Sequence, residues 1–391
     1  IVYRNDSPFA EPAGKMNSIH ISRRRFLKTS MGWAALALAG PESLALAGSK
    51  EVFRKTDADP ALFALMDRAP EARYWVSTAM EEIACSRCHG SEVSPGQGRD
   101  HDQIYVQCEL CAQQCAIAEG ARGRCRTRIN HGGRLLSLVY GRPVSVHIDP
   151  IEKKPFYHFL PGVQALSLAT AGCPLSCRFC QNWQISQARP EDFSVGYTPA
   201  EVVAQAAAKR NVSVIAYTYN EPTVFAEYLT DIARAGRLRG IRSVLISCGY
   251  AAPKPMADMC EVLDAVKIDL KGFSRRFYRE VCGAELDPVL NCIGEVARRG
   301  VHLEIVNLVV PTLNDSDQML GDLCRWIAEE VGTEVPVHFT RFHPDFQMRN
   351  LPPTPVATLE RAYEIAKDRG IRYPYVGNVP GHPGNHTHCP Q

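Results

Sequence analysis

Three cysteines, Cys173, Cys177 and Cys180, stand four and three residues apart in the run Ala171-Gly172-Cys173-Pro174-Leu175-Ser176-Cys177-Arg178-Phe179-Cys180-Gln181-Asn182-Trp183. Thiolate is the soft ligand that iron–sulfur centres prefer, and three of them on one short loop can wrap a face of a cubane cluster. No fourth cysteine lies in this loop. One iron is then left without a protein ligand and can bind a substrate or cofactor directly, as open catalytic zinc sites do. The plainer alternative is a zinc knuckle that borrows its fourth ligand from elsewhere. The loop follows an apolar segment that reads as a strand, and a place at the ligand-binding end of a parallel sheet counts against that alternative.

A second group, Cys108-x2-Cys111-x3-Cys115-x9-Cys125, supplies four soft ligands, with Gly120 and Gly123 allowing tight turns. Four cysteines make a closed site for tetrahedral zinc or a second [4Fe–4S] cluster. The cluster is preferred because the chain already requires iron–sulfur loading; a disulfide pair is the remaining alternative. Cys85-Ser86-Arg87-Cys88-His89 has the Cys-x2-Cys-His form of c-type haem attachment. Haem needs an apolar pocket, and residues 83–105 are polar, so metal binding together with His101, or an unliganded loop, competes with it. Cys248, Cys260, Cys282, Cys292, Cys324 and Cys389 are isolated and read mostly as small buried hydrophobes. His382, His386 and His388 are either a metal patch or a solvated tail.

The elements that must position these groups belong to a chain of 391 residues, 45% hydrophobic, which is long enough for one large domain and a smaller appendage. A formal net charge of +2 does not support a surface dominated by polyanion binding, so no nucleic-acid partner is expected. Ser22-Arg23-Arg24-Arg25-Phe26-Leu27-Lys28, the apolar run Met31–Ala39 and Ala45-Leu46-Ala47 resemble a twin-arginine export signal. That apolar run is too short to span a bilayer, so no transmembrane helix is expected. A periplasmic location follows if the signal acts, and a cytoplasmic one with a basic amphipathic arm if it does not. Residues 1–15 precede Met16 and read as upstream read-through.

Residues 51–82 read as one or two helices, and Leu135–Tyr140 and Val144–Ile148 as β segments. From Val163 onward apolar runs alternate with amphipathic ones, the mark of βα units. Candidate strands are Ala165–Thr170, Val212–Tyr217, Ser243–Ser247, Ala265–Ile268, His302–Val309 and Val335–Thr340. Helical patterns cover Pro199–Lys209, Pro222–Ala235, Pro288–Arg299 and Gln318–Glu330. Six strands fall short of a closed eight-stranded barrel, so the expected class is α/β with an open (β/α)6 arrangement. The expected divisions are 1–47 (read-through and signal), 48–104 (helical linker and polar insertion), 105–160 (cysteine-rich module and β segment), 161–379 (barrel) and 380–391 (tail).

The Cys-x3-Cys-x2-Cys pattern with Phe179 before its last cysteine resembles the radical S-adenosylmethionine (SAM) superfamily. The resemblance implies a partial (β/α)6 radical SAM barrel and a [4Fe–4S] cluster on Cys173, Cys177 and Cys180. It further implies reductive cleavage of SAM to a 5′-deoxyadenosyl radical that takes hydrogen from a substrate. Further runs narrow the likeness: Leu138–Arg142, Asp149–Pro155, His158–Gly162, Tyr217–Thr223, Asp269–Phe273, Pro311–Asp315 and Phe339–Asp345. Over residues 105–389 they resemble the radical SAM member of the AmmeMemoRadiSam system, related to pyruvate-formate-lyase-activating enzymes.

Carried onto this chain, the likeness implies that Phe179, Asn220, Glu221, Ser247, Asp269, Lys271, Asn307 and His343 contact the cofactor. Glu221 would receive the SAM ammonium, and Asp269 with Lys271 would satisfy the zwitterionic methionine moiety; a structural ion pair is the alternative for these two. Arg341 and Asp345, flanking His343, could bind an anionic substrate group. The implied partners are an electron donor, an unidentified substrate, and Memo-like and AMMECR-like proteins. Two further classes compete: an exported iron–sulfur or haem electron-transfer or metal-binding protein, and, among enzymes, a glycyl-radical activase.

Overall fold

Val214-Ile215-Ala216-Tyr217 is apolar throughout and buried at every position, as a strand covered on both faces must be. The computed structural model describes residues 59–77 and 105–388, and segments of this kind make up its main sheet. In chain order these are β6 (Ser145–Pro150), β7 (Gln164–Ala169), β8 (Val214–Tyr217), β9 (Arg242–Ser247), β10 (Ala265–Asp269), β11 (His302–Val309), β12 (Val337–Arg341) and β13 (Pro374–Gly377). They lie side by side in sequence order, with β6 and β13 at the two edges. Strand β6 runs antiparallel to β7, and every later neighbour is parallel. Helices Ala200–Lys209, Ala226–Arg237, Pro253–Cys260, Leu286–Arg298, Asp317–Glu330 and Val356–Asp368 make the crossovers that parallel strands require. Ser316 caps one of them by accepting the amide of Met319 (3.3 Å).

The α/β class and all six expected strands are present. A seventh parallel strand, Pro374–Gly377, escapes periodicity because four residues opening on proline carry little pattern. The helix Pro253–Cys260 was hidden by its two prolines. The expected β segment at Val144–Ile148 is Ser145–Pro150, the antiparallel edge strand of the main sheet. Within 51–82, Pro60–Met66 is helical, but Trp75–Ser77 is strand β1, not helix. It pairs with β2 (Val106–Cys108), which pairs with β3 (Ala116–Ile117), and β4 (Arg128–His131) and β5 (Arg134–Ser137) form a hairpin. Among the described residues no helix is long and apolar enough to cross a membrane. The signal-like segment, Cys85, Cys88, His89, His101 and Cys389 lie outside the described residues.

One face of the sheet carries small apolar side chains, Ala165, Val214, Ala216, Val244, Ile246 and Ala265, closed by Ile151 and Phe156. Glu304 interrupts this face and is fully buried. Its carboxylate accepts from the amides of Tyr157 (3.0 Å) and His158 (2.9 Å) and from the rings of His302 (3.1 Å) and His338 (2.7 Å). Burial pushes this carboxyl up, but the donors outweigh it and hold it down at about 2. A carboxyl depressed by folding stabilises above its unfolded value and loses that contribution as pH falls toward the folded one. Glu304→Gln should therefore remove about 3 kcal/mol of pH-dependent stability between roughly pH 5 and pH 2. Denaturant titrations of both proteins across that window check it; parallel pH profiles would contradict it.

Candidate functional site

The loop bearing Cys173, Cys177 and Cys180 leaves the carboxyl end of β7, where parallel sheets bind ligands. Its backbone is fixed from several directions. Gly172 donates its amide to the Ile185 carbonyl (2.8 Å), Ser176 to Cys282 (3.0 Å) and Arg178 to Val281 (2.9 Å), while the Arg178 carbonyl accepts the amide of Gln347 (3.0 Å). Asn220 Nδ2 donates to the Gly172 carbonyl (2.8 Å), and Asn182 Nδ2 to that of Tyr219 (2.9 Å). The three thiols are mutual electrostatic neighbours. Burial pushes Cys173 and Cys180 up, whereas a hydrogen bond with the Cys282 thiol draws Cys177 down. Among the described residues no three His, Cys, Asp or Glu side chains converge on one ion. A cubane does not require such convergence, because each thiolate binds its own iron corner.

The predicted cofactor residues divide into two groups. Phe179 is buried, stacks on Phe277 (6.3 Å between centroids) and lies under the Lys271 ammonium (5.8 Å). Lys271 pairs with Asp269 (3.4 Å), which also pairs with Lys267. Burial pushes Asp269 up, but the two ammoniums prevail and its carboxyl is depressed. Asn220 keeps its buried Oδ1 without a hydrogen-bond partner among the described residues. That orphan acceptor is a feature a cationic ligand would satisfy.

Glu221 and Asn307 are engaged with the protein itself, although Asn307, like Asn220, keeps a buried Oδ1 without a hydrogen-bond partner among the described residues. Glu221 Oε1 accepts from the Thr223 amide (3.1 Å), the Thr223 hydroxyl (2.6 Å) and the Ser247 hydroxyl (2.8 Å), and Oε2 accepts from the Cys248 amide (2.6 Å). Its carboxylate thus braces the ends of β8 and β9, with Ser247 in the brace and a single backbone donor on Oε2. Register pairs Val306 with Asp269, so alternation turns Asn307 to the opposite face of the sheet, where Nδ2 donates to the Leu270 carbonyl (2.8 Å). His343 is exposed in the loop after β12. That loop still reaches the cysteines, because Phe346 stacks on Trp183 with centroids 5.2 Å apart.

Lys267, Tyr219 and Cys282 are also close to this site without standing among the predicted site residues. A lone lysine inside the apolar run Val266-Lys267-Ile268 was the available signal for the first. Tyr219 occupies left-handed backbone (φ 70°), which a bulky residue holds only when its surroundings enforce it. Its hydroxyl donates to Asp149 (2.7 Å), which also accepts from Lys153 (2.7 Å) and Lys154 (2.8 Å).

Cys108, Cys111 and Cys125 are buried and Cys115 is half-buried, and all four are electrostatic neighbours. Burial pushes Cys108 up to about 12 and raises Cys111 and Cys115. All twelve described cysteines are free thiols. The module touches the cysteine loop directly: Gln113 Nε2 donates to the Pro174 carbonyl (3.0 Å), and Arg124 to the Ser176 hydroxyl (3.3 Å).

The family profile described as "Radical SAM superfamily" matches residues 167–327. An uncharacterized protein of Methanocaldococcus jannaschii is 42% identical over 289 residues, covering 74% of this chain and 86% of that relative. Pyruvate formate-lyase 1-activating enzyme of Escherichia coli is 24% identical over 226 residues, covering 54% of this chain and 91% of the enzyme. A crystal structure of a radical SAM methyltransferase from Sphaerobacter thermophilus aligns with a TM-score of 0.41 at 14% identity, over 76% of this chain and 82% of that one.

Proposed function

The chain belongs to the radical SAM superfamily, and on that premise we propose that Cys173, Cys177 and Cys180 hold a [4Fe–4S] cluster used to cleave SAM reductively. The carrying observation is three thiols on one loop at the ligand-binding end of a parallel sheet, pinned by backbone bonds and flanked by the orphan Asn220 Oδ1. When bound, the cluster supplies the electron, delivered by an external donor, that cleaves SAM to methionine and a 5′-deoxyadenosyl radical, which abstracts hydrogen from an unidentified substrate.

The chain's own groups bind and orient. Asn220 Oδ1 offers an acceptor to the SAM ammonium, and Lys271, held by Asp269, offers a cation to its carboxylate. Phe179 packs beneath that lysine, and the Trp183–Phe346 stack ties the loop after β12 to the cysteine loop. Likeness to pyruvate formate-lyase-activating enzymes supports a glycyl-radical target as the second reading. Memo-like and AMMECR-like partners, and export through Ser22–Ala47, are parts of the proposal that rest on residue pattern alone. For Cys108, Cys111, Cys115 and Cys125 a second [4Fe–4S] cluster is the preferred occupant over zinc, because a chain that carries one such cluster is already loaded by iron–sulfur machinery.

Anaerobically reconstituted protein supplied with dithionite and SAM should release 5′-deoxyadenosine, and the combined Cys173→Ala, Cys177→Ala, Cys180→Ala variant should release none above background. That variant should still bind about four irons, those of the second cluster; zinc in their place would reassign the module. A wild type that carries both clusters yet leaves SAM intact would sink the proposal.

A further inference from the structure

Beneath the last cysteine of the loop lies a chain of polar contacts that the cofactor reading leaves unused. Ser186 is 2% exposed and its Oγ lies 3.2 Å from Cys180 Sγ. Gln187 Nε2 donates to that same Oγ (3.2 Å) and to the Leu175 carbonyl (3.1 Å). Gln187 Oε1 in turn accepts from the guanidinium of Arg126 (3.4 Å), which directly follows Cys125. Arg126 holds left-handed backbone (φ 69°), its amide bonded to the Gly123 carbonyl (2.8 Å) and its carbonyl to Arg122 (3.3 Å).

The direction of the chain follows from what each group can do. A guanidinium only donates, so Gln187 must present its oxygen to Arg126 and its NH2 to Ser186. With its oxygen accepting, Ser186 has its hydrogen left to give, and a thiolate has none to offer in return. Every dipole therefore points positive end first from a fixed cation toward Cys180 Sγ, and successive bonds polarise one another in a poorly screened site.

We propose that Arg126, Gln187 and Ser186 form a donor relay that ends on the Cys180 thiolate and sets the reduction potential of the cluster. The inference rests on the cluster reading above and adds positioning residues to it. Hydrogen bonds to cluster sulfurs stabilise the reduced state, which carries the extra negative charge, and so raise the potential. The relay also gives the four-cysteine module a physical line to the radical-forming centre, since Arg126 is held in place by that module's own turns.

The test is an EPR-monitored redox titration of the reconstituted protein, with iron and sulfide content measured alongside. Ser186→Ala should keep full iron and shift the midpoint potential to more negative values. Ser186→Thr, which retains the hydroxyl, should return close to wild type, and Arg126→Met should shift the same way as Ser186→Ala by a smaller amount. Should Ser186→Ala fail to hold a cluster, Gln187→Leu, which keeps the Arg126 charge and removes the link to Ser186, decides in its place. Wild-type potentials in fully loaded Ser186→Ala and Arg126→Met would overturn the relay. A wild type that assembles no cluster refutes the underlying reading, and that outcome is seen before any variant is titrated.

Discussion

Alanine at Gly172 is expected to cost the protein most of its barrel-bound iron. The residue has φ +87°, and a Cβ placed there would lie 2.3 Å from Thr127 Cγ2 and 2.4 Å from the Cys125 carbonyl oxygen. A carbonyl on fixed backbone cannot rotate away, so the loop carrying Cys173 must lift off the cysteine module. Left-handed strain costs about 1–3 kcal/mol and overpacking about as much again. Gly240 provides the comparison, since it has φ +68° and nothing within 4 Å of its would-be Cβ. Gly240→Ala should suffer the strain alone and keep its iron. Iron content and melting temperature of the two variants separate the cases; equal iron and equal melting would discard the close-approach argument.

The second large effect concerns the bond between module and barrel. Arg128 on β4 has no exposed side-chain surface, and its Nη2 reaches both oxygens of Glu227 (2.8 and 2.7 Å) at the start of helix Ala226–Arg237. Glu227 also accepts the amide of Arg73 (2.9 Å). Removing one member of a buried pair strands the other charge, so Glu227→Leu should lose about 3–5 kcal/mol. Replacing both members with apolar residues is often neutral. The double variant Arg128→Met, Glu227→Leu should therefore recover a substantial part of that loss, as chemical denaturation would register. A double variant no more stable than Glu227→Leu would show that the pair acts through more than its charges.

Strand positions were legible because covered parallel strands carry unbroken apolar runs, as Val214–Tyr217 does. The cysteine loop was legible from spacing alone. Long-range commitments were not. Nothing local in Tyr219-Asn220-Glu221-Pro222 says that the Glu221 carboxylate also bonds Ser247 and Cys248, more than twenty residues away. Likewise the face presented by Asn307 depends on register with β10, which a single strand does not encode. Cys282 read as a filler hydrophobe because its contact with Cys177 is made only when the segment Tyr278–Cys282 folds back on the loop.

The two outermost strands of the main sheet, β6 and β13, do not pair with one another. A cylinder stitched all the way round can be filled only through its mouth unless backbone bonds are broken. Here side chains do the joining instead: in the connection from β6 to β7, Tyr157 packs edge-on against Tyr375 of β13 with centroids 4.8 Å apart, and His158 Nε2 lies 2.7 Å from the Tyr375 hydroxyl. Closure on that side thus depends on ring packing and a side-chain hydrogen bond rather than on a continuous backbone ladder.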